Sequence, residues 1–200
     1  MFNQSFMPGA TVVGMSYNDG VILASEKRVS YGHFIVSHQG KKVFQINDNV
    51  GAACAGMIAD MQVLMKEMKI YANLRELEVK KQLSPNSVAK LMGVLMHEKR
   101  FFPYLTQVIV GGTEKNGKSS IYVLDPVGSV IPDDYATIGT GAEIAIGIIE
   151  QEYSSTMNEE TAKILAIKSI HAALQRDSAS GDGIDVLIIN KDGCKEETNN

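Results

Sequence analysis

Residues 11–26 read TVVGMSYNDGVILASE, and this stretch decides the fold. Two runs of β-forming residues, TVVGMS and GVILASE, flank the turn sequence YNDG, which predicts an antiparallel pair of strands. Downstream, KVFQI and VGAACAG are separated by the turn sequence NDN and predict two more strands. A glycine-punctuated β segment therefore opens the chain.

The apolar period changes to three and four residues after this β segment, which is typical of helices. The first helix is predicted from Met57 by apolar residues on one face: Ile58, Met61, Leu64, Met65 and Met68. Ser84 and Pro85 predict the N-cap and first position of a second helix. Because methionine adapts its shape to core gaps, we interpret the methionine stripe as core filling rather than as a promiscuous binding groove.

The same alternation then repeats in the second half of the chain. Strands are predicted for TQVIVGGT, SSIYVLD, GSVIP and YATIG. A helix is predicted over 141–153, and another is predicted to be capped by Asn158. GIDVLIIN predicts a closing strand, and KDGCKEETNN predicts a loose polar tail. This order favours an α+β fold with two face-to-face antiparallel sheets and a helix pair on each outer side.

Composition and charge restrict the class of protein. The chain has 200 residues, which suits one domain, and a net charge of -4 argues against nucleic acid as a partner. Two cysteines imply no disulfide framework, and no apolar run reaches the roughly 20 residues that span a bilayer. We therefore expect a cytoplasmic protein with no membrane partner.

Two weak patterns could suggest a nucleotide-binding site or a metal site, but neither is complete. GTGAEIAIG follows a predicted strand and opens a helix, but Ile144 stands where the dinucleotide-binding fingerprint needs its third glycine. His33, His38, His97 and His171 lack the spacing of a metal site. Neither a Gly-x-Ser-x-Gly elbow nor a phosphate-binding loop occurs. We assign no metal and no cofactor.

Charged residues beside predicted buried strands are more informative. QRDSASGDGID joins a helix to a strand, while SEKRVS and GKKVFQI place Glu26 and Lys42 next to other strands. Buried charges are costly unless they are paired, so this set is a candidate for a tuned site. Two plainer interpretations stay open: a helix C-cap with Gly181 in a left-handed conformation, and a solvated strand end at Lys41 and Lys42.

Six segments together resemble, in order and spacing, the β-type subunits of the archaeal 20S proteasome, which are N-terminal-nucleophile threonine peptidases. The segments are GATVVGM, GVILASEKRVS, GKKVFQI, VGAACAG, IGTG and QRDSASGDGIDV. The resemblance covers residues 9–190. It implies a four-layer αββα sandwich, with residues 1–9 as an autocleaved pro-segment, 10–190 as the proteasome β-type domain and 191–200 as a polar tail.

The resemblance also implies the site. Autocleavage would follow Gly9 and free residue 10 as the nucleophile, but this position is Ala10. The residues that match the family's helper groups are Glu26, Lys42, Thr140, Asp177 and Ser180, with Gly56 as the oxyanion donor. Those that match its substrate-binding residues are Ser30, for the substrate backbone, and Val29, Cys54 and Ile58, for an apolar pocket that favours hydrophobic side chains before the cut.

The implied partners are α-type subunits and other β-type subunits in stacked heptameric rings, indirectly a regulatory ATPase ring, and unfolded polypeptide substrates. Three interpretations of Ala10 stay open. Alanine replaces the nucleophile of an otherwise active protease subunit, by design; or the chain is a naturally non-catalytic ring subunit with an assembly role; or a shifted cleavage exposes Thr11 as the nucleophile. The third is the poorest, because a shift of one residue turns a strand side chain to the opposite face.

Overall fold

The computed structural model describes residues 9–199, which form two five-stranded antiparallel sheets and one separate hairpin. The strands are β1 Thr11–Tyr17, β2 Gly20–Glu26, β3 Val29–Tyr31, β4 Phe34–Ser37, β5 Val43–Gln45, β6 Val50–Gly56, β7 Thr106–Thr113, β8 Ser119–Leu124, β9 Ile131–Asp133, β10 Tyr135–Gly139, β11 Ile184–Asn190 and β12 Gly193–Asn199. The helices are α1 Ile58–Val79, α2 Pro85–Glu98, α3 Ala142–Glu152 and α4 Glu159–Leu174. The first sheet has the order β10-β1-β2-β11-β12, and the second β5-β6-β7-β8-β9.

The predicted pair of strands over residues 11–26 is confirmed as the β1–β2 hairpin. Tyr17 pairs with Gly20, so Asn18 and Asp19 make the turn. Strand β11 pairs with the other side of β2, which leaves β2 in the middle of the first sheet with all seven residues buried. The start of β1 and the end of β2 therefore lie side by side.

Three apolar clusters confirm the four layers. One fills the space between the two sheets and contains Val12, Leu23 and Ile109. A second joins the second sheet to α1 and α2, and a third joins the first sheet to α3 and α4. The α+β sandwich of two antiparallel sheets between helix layers is the observed architecture.

The predicted helix starts and the methionine stripe are also confirmed. Ser84 accepts a hydrogen bond from the Ser87 N–H at 3.2 Å, and Asn158 accepts one from the Thr161 N–H at 2.9 Å. Met61, Met65 and Met68 of α1 are buried in the core cluster between α1, α2 and the second sheet. Within residues 9–199, none of the helices has the length and hydropathy that crossing a bilayer requires.

The prediction of a loose polar tail is wrong for the residues described. Gly193–Asn199 forms β12, which pairs along its whole length with β11. The strand has few apolar residues, and it is held by backbone pairing and by polar contacts such as Thr198 Oγ1 to Asp185 Oδ1 at 2.8 Å. The strand, GCKEETN, contains three charged residues, and charged residues are typical of a strand at a sheet edge.

Two further differences concern short strands. The β3–β4 hairpin was not predicted; it turns at Gly32, whose φ is 58°. The strand predicted over GSVIP begins only at Ile131, because the Asp125 carboxylate accepts hydrogen bonds from the Val127 and Ser129 N–H groups and holds these residues in a turn.

Candidate functional site

Ala10 lies immediately before β1 and is completely buried. Its N–H donates to Thr140 Oγ1 at 3.2 Å, and its carbonyl accepts from the Gly141 N–H at 3.3 Å. Gly139 has a φ of 94°, and a Cβ there would lie 2.2 Å from the Ala10 carbonyl oxygen. Only glycine therefore allows the end of β10 to approach residue 10 this closely.

Gly9, the residue before the expected cut, is enclosed in the same way. A Cβ on Gly9 would lie 2.0 Å from the Ala179 Cβ and 2.9 Å from Thr140 Oγ1. The site thus has no room for a side chain at position 9. The rest of the expected pro-segment, residues 1–8, lies outside the described residues.

Thr140, Asp177 and Ser180 form one hydrogen-bonded group beside Ala10. Thr140 Oγ1 donates to Asp177 Oδ2 at 2.5 Å, and Ser180 Oγ donates to the same oxygen at 2.7 Å. Asp177 and Ser180 lie in the loop after α4. A hydrogen bond within this loop holds them in position, because Asp177 Oδ1 accepts from the Ala179 N–H at 3.0 Å. The structure therefore brings together three of the predicted site residues and attaches them to the backbone of residue 10.

Lys42 and Glu26 form a buried ion pair, with side-chain exposures of 1% and 0%. The ammonium donates to Glu26 Oε1 and to the Arg28 carbonyl, and Glu26 Oε2 accepts from the N–H groups of Arg28 at 2.7 Å and Gly181 at 3.0 Å. Burial raises the pKa of the Glu26 carboxyl and lowers the pKa of the Lys42 ammonium, while their mutual attraction opposes both shifts. Lys42 is thus no solvated strand end, and its amine releases a proton more readily than a free lysine does.

Arg28 connects the ion pair to the loop of Asp177 and Ser180, and sequence reasoning missed this role. Its guanidinium donates to Asp182 Oδ2 at 2.9 Å and to the Ser178 carbonyl at 3.1 Å. The hydrogen bond from Arg28 is the main cause that holds the pKa of Asp182 below its usual range. An arginine among charged residues after a buried strand, in SEKRVS, was the signal available.

Gly56 ends β6 with a φ of 130°, where any side chain would be strained. It lines a cavity of about 230 Å³ together with Ala55, Gly139 and Thr140. The predicted oxyanion donor and two residues that contact Ala10 therefore lie on the wall of one cavity.

The predicted substrate-binding residues contact parts of the chain other than Ala10. Val29 and Ile58 flank Gly40, where a Cβ would lie 2.3 Å from Val29 Cγ2 and 3.8 Å from Ile58 Cδ1. Cys54 is completely buried, and burial raises the pKa of its thiol. Ser30 Oγ donates to the Ala179 carbonyl at 3.4 Å, which places it against the site loop.

Thr11 is a member of this site that sequence reasoning considered only as a displaced nucleophile. Its side chain is completely buried, and its Oγ1 lies 2.8 Å from Ser180 Oγ. A threonine directly before a run of apolar strand residues was the only signal of this contact in the sequence. Among residues 9–199, no group of three or more His, Cys, Asp and Glu side chains is arranged to hold a metal ion.

Comparisons with known proteins identify the family of the chain. The family model described as "Proteasome subunit" matches residues 7–189. "Proteasome subunit beta 1" of Cenarchaeum symbiosum is 53% identical over 95% of this chain and 97% of its own length, and that of Nitrosopumilus maritimus is 51% identical over 96% of each. "Proteasome subunit beta 2" of Pyrobaculum calidifontis is 49% identical over 94% of this chain and 93% of its own length. The chain therefore belongs to the proteasome subunit family and is a relative of archaeal β subunits.

Proposed function

We propose that the chain is a β subunit of a 20S proteasome core particle, built around an N-terminal threonine endopeptidase site in which Ala10 occupies the nucleophile position. One observation supports this most strongly. The Ala10 N–H is bonded to Thr140, and Thr140 shares the Asp177 carboxylate with Ser180, next to a buried Lys42–Glu26 pair. Such a set has a catalytic use only if residue 10 carries a nucleophile.

The proposed reaction follows from a threonine at position 10. In processing, the threonine hydroxyl oxygen attacks the Gly9 carbonyl carbon, the peptide C–N bond between Gly9 and the threonine breaks, and the hydroxyl proton ends on the freed α-amine. Water then hydrolyses the ester. The same hydroxyl next attacks a substrate carbonyl, and the leaving amine takes the proton; water releases the acyl group. Lys42 lowers the pKa of the nucleophile by its positive charge, and the Gly56 N–H stabilises the oxyanion.

As written, the chain cannot perform either step, because the Ala10 methyl group has no lone pair. We therefore propose that it is inactive and unprocessed and keeps residues 1–9 when it is assembled. The finer assignments belong to the same proposal: stacked heptameric rings with α-type subunits and other β-type subunits, a regulatory ATPase ring that delivers unfolded proteins, ATP-dependent degradation, and a cytoplasmic location.

A naturally non-catalytic ring subunit is the second candidate, and the methyl group at residue 10 is the observation that favours it. Both candidates are inactive as written, so they differ only in whether the rest of the site works. The contact between the Thr11 and Ser180 hydroxyl groups argues against the third interpretation, in which Thr11 is the nucleophile.

The test is Ala10→Thr, with Ala10→Val as the matched control of the same shape without a hydroxyl. Each is co-expressed with an α-type subunit, and the assembled particle is analysed by intact mass and by hydrolysis of a short fluorogenic peptide with leucine before the cut. We expect Ala10→Thr to begin at residue 10 and to cleave the peptide, and the valine variant to do neither. An Ala10→Thr particle that retains residues 1–9, or that cleaves no faster than the alanine form, would overturn the catalytic proposal and favour the second candidate.

A further inference from the structure

We propose that Thr11 is a positioning residue, whose buried hydroxyl donates a hydrogen bond to Ser180 and holds the Ser180–Asp177 pair in place beside residue 10. The inference rests on the proposed function, because it concerns the same site. Thr11 Oγ1 and Ser180 Oγ are 2.8 Å apart, and the two residues are 0% and 2% exposed. Water has little access to this contact, so neither hydroxyl can exchange its partner for solvent.

The direction of the hydrogen bond follows from counting protons. A serine hydroxyl carries one proton, and an ionised carboxylate can only accept. The Ser180 proton is used in the 2.7 Å bond to Asp177 Oδ2. Ser180 Oγ must therefore be the acceptor toward Thr11, and the Thr11 proton completes the bond.

Packing holds the Thr11 hydroxyl in this orientation. A Cβ on Gly141 would lie 2.0 Å from Thr11 Oγ1 and 3.2 Å from Thr11 Cβ, so the backbone of Gly141 is packed directly against the side chain. The backbone of Thr11 is also fixed, because it is paired with Gly139 in the β1–β10 ladder. A β-branched side chain has few χ1 rotamers, and this enclosure leaves the hydroxyl pointing at Ser180.

The contacts close a ring that begins and ends on adjacent residues. The Ala10 N–H donates to Thr140 Oγ1, Thr140 and Ser180 both donate to Asp177 Oδ2, and Thr11 donates to Ser180. Residues 10 and 11 are thereby tied to a loop about 170 positions away in the chain. Hydrogen bonds in such a chain polarise one another, so loss of the Thr11 donor weakens the Ser180–Asp177 bond as well. Thr11 therefore acts through Ser180.

The experiment uses the Ala10→Thr chain assembled with an α-type subunit. Thr11→Val removes the hydroxyl and keeps the shape, Thr11→Ser keeps the hydroxyl, and Thr11→Ala removes it with a smaller side chain, so that failure of the valine variant to assemble leaves the test standing. Thr113→Val is the matched control, since Thr113 is also buried but lies at the far end of β7 and bonds to the Asn190 carbonyl. The rate of processing and the kcat and KM for the leucine peptide are measured for each.

We expect Thr11→Val and Thr11→Ala to lower kcat about tenfold, equivalent to about 1.4 kcal/mol or one hydrogen bond, with KM unchanged. Thr11→Ser should restore the rate, Thr113→Val should leave it unaltered, and Thr11→Val should cost nothing further in a Ser180→Ala background. Equal kcat for Thr11→Val and the parent, or a serine variant as slow as the valine variant, would overturn the inference. An inactive Ala10→Thr parent instead overturns the proposed function.

Discussion

The Lys42–Glu26 pair shows how one buried residue depends on another. Lys42 is surrounded by oxygen atoms, those of Glu26 and of the Arg28 carbonyl, and has almost no contact with water. A lone charge in this place would be costly, and breaking a buried pair costs several kcal/mol because it leaves the partner uncompensated. Substitution at either position should therefore affect both stability and chemistry.

At the level of chemistry, we expect Ala10→Thr combined with Lys42→Ala to remain unprocessed. Without the cation, the threonine hydroxyl loses the neighbour that lowers its pKa, so transfer of its proton becomes uphill. Lys41→Ala in the Ala10→Thr background is the control, because Lys41 is exposed and pairs with Glu196. N-terminal sequencing of the assembled particles checks this. Efficient processing of the Lys42 variant would mean that Lys42 has been matched to the wrong role.

At the level of stability, we expect Lys42→Met in the chain as written to lose stability as the pH rises. Burial already raises the pKa of Glu26, and removal of the positive charge raises it further. A carboxyl whose folded pKa lies above its unfolded value of about 4.3 stabilises the fold fully below that value and loses this contribution as the pH rises toward the folded pKa. The unfolding free energy, relative to a reference chain that lacks the Glu26 carboxyl, should fall by about 1.4 kcal/mol per pH unit over this range.

Urea unfolding at pH values between about 5 and 8 measures this slope, with linear extrapolation to water. The double variant Glu26→Gln and Lys42→Met is the control, since it contains neither charge and should show no such slope. A relative stability of the single variant that rises with pH would contradict the direction of the Glu26 shift.

The residues of this site were predictable to different degrees. Sequence reasoning alone left Lys42 as either a tuned group or a solvated strand end, and the family resemblance selected the first. Thr11 was not predictable as a partner of Ser180, because the two are brought together by the closure of the sheet and not by any local pattern. Contacts of this kind depend on tertiary packing.

Among the elements, β6 has the strictest steric requirement, because its last residue must be glycine. It ends at Gly56, which pairs with Thr106 at the start of β7, and a Cβ there would lie 2.2 Å from the Leu105 carbonyl oxygen and 2.9 Å from Thr106 Cα. Both clashes are with backbone, so no side-chain movement can relieve them. The orientation of the Gly56 N–H therefore depends on the absence of a side chain.

We expect Gly56→Ala to lower the unfolding free energy by about 2 kcal/mol or more, from strain at a φ of 130° and from displacement of β7. Gly147→Ala is the matched control: Gly147 lies within α3, and a Cβ added there would have nothing within 4 Å, so alanine should stabilise the helix by about 0.5–1 kcal/mol. Denaturant unfolding of both variants checks the opposite signs. Equal effects at the two glycines would contradict the steric interpretation.

The long elements were predictable because their residues repeat with one period. The β1–β2 hairpin and the caps at Ser84 and Asn158 follow from local chemistry. Strand β12 was not predictable, because its pairing with β11 comes from backbone groups that any sequence possesses. The β3–β4 hairpin is short and largely exposed, so it shows little apolar alternation.

At the scale of the whole molecule, the outer face of α1 is the surface most suited to contact with another protein. The methionine stripe faces inward, whereas Ile70, Leu74 and Leu77 are at least half exposed, and a groove of about 620 Å³ runs between α1 and α2. An apolar surface of this kind on a helix is typical of a contact with another protein. The exposed apolar face of α1 is thus the face opposite to the one that the methionines occupy, and it is the face on which we expect a subunit contact.

We expect Leu77→Arg to reduce the fraction of chain that enters a closed particle with an α-type subunit, because a charge would have to be buried at the contact. The unfolding free energy of the isolated subunit should stay the same, since Leu77 is 75% exposed. Lys69→Glu, an exposed change on the same helix, should assemble as the parent does. Sizing and native mass of the co-expressed complex decide this, and full assembly of the Leu77 variant would exclude this face from the contact.

The β12 strand has a consequence for the interval between synthesis and assembly. A newly folded subunit exposes apolar helix surface while it waits for neighbours, and an open sheet edge at the same time would invite irreversible cross-strand stacking between copies. At this edge the outermost strand carries Lys195, Glu196 and Glu197 in succession. Charge at the border of the first sheet thus opposes such pairing during this interval.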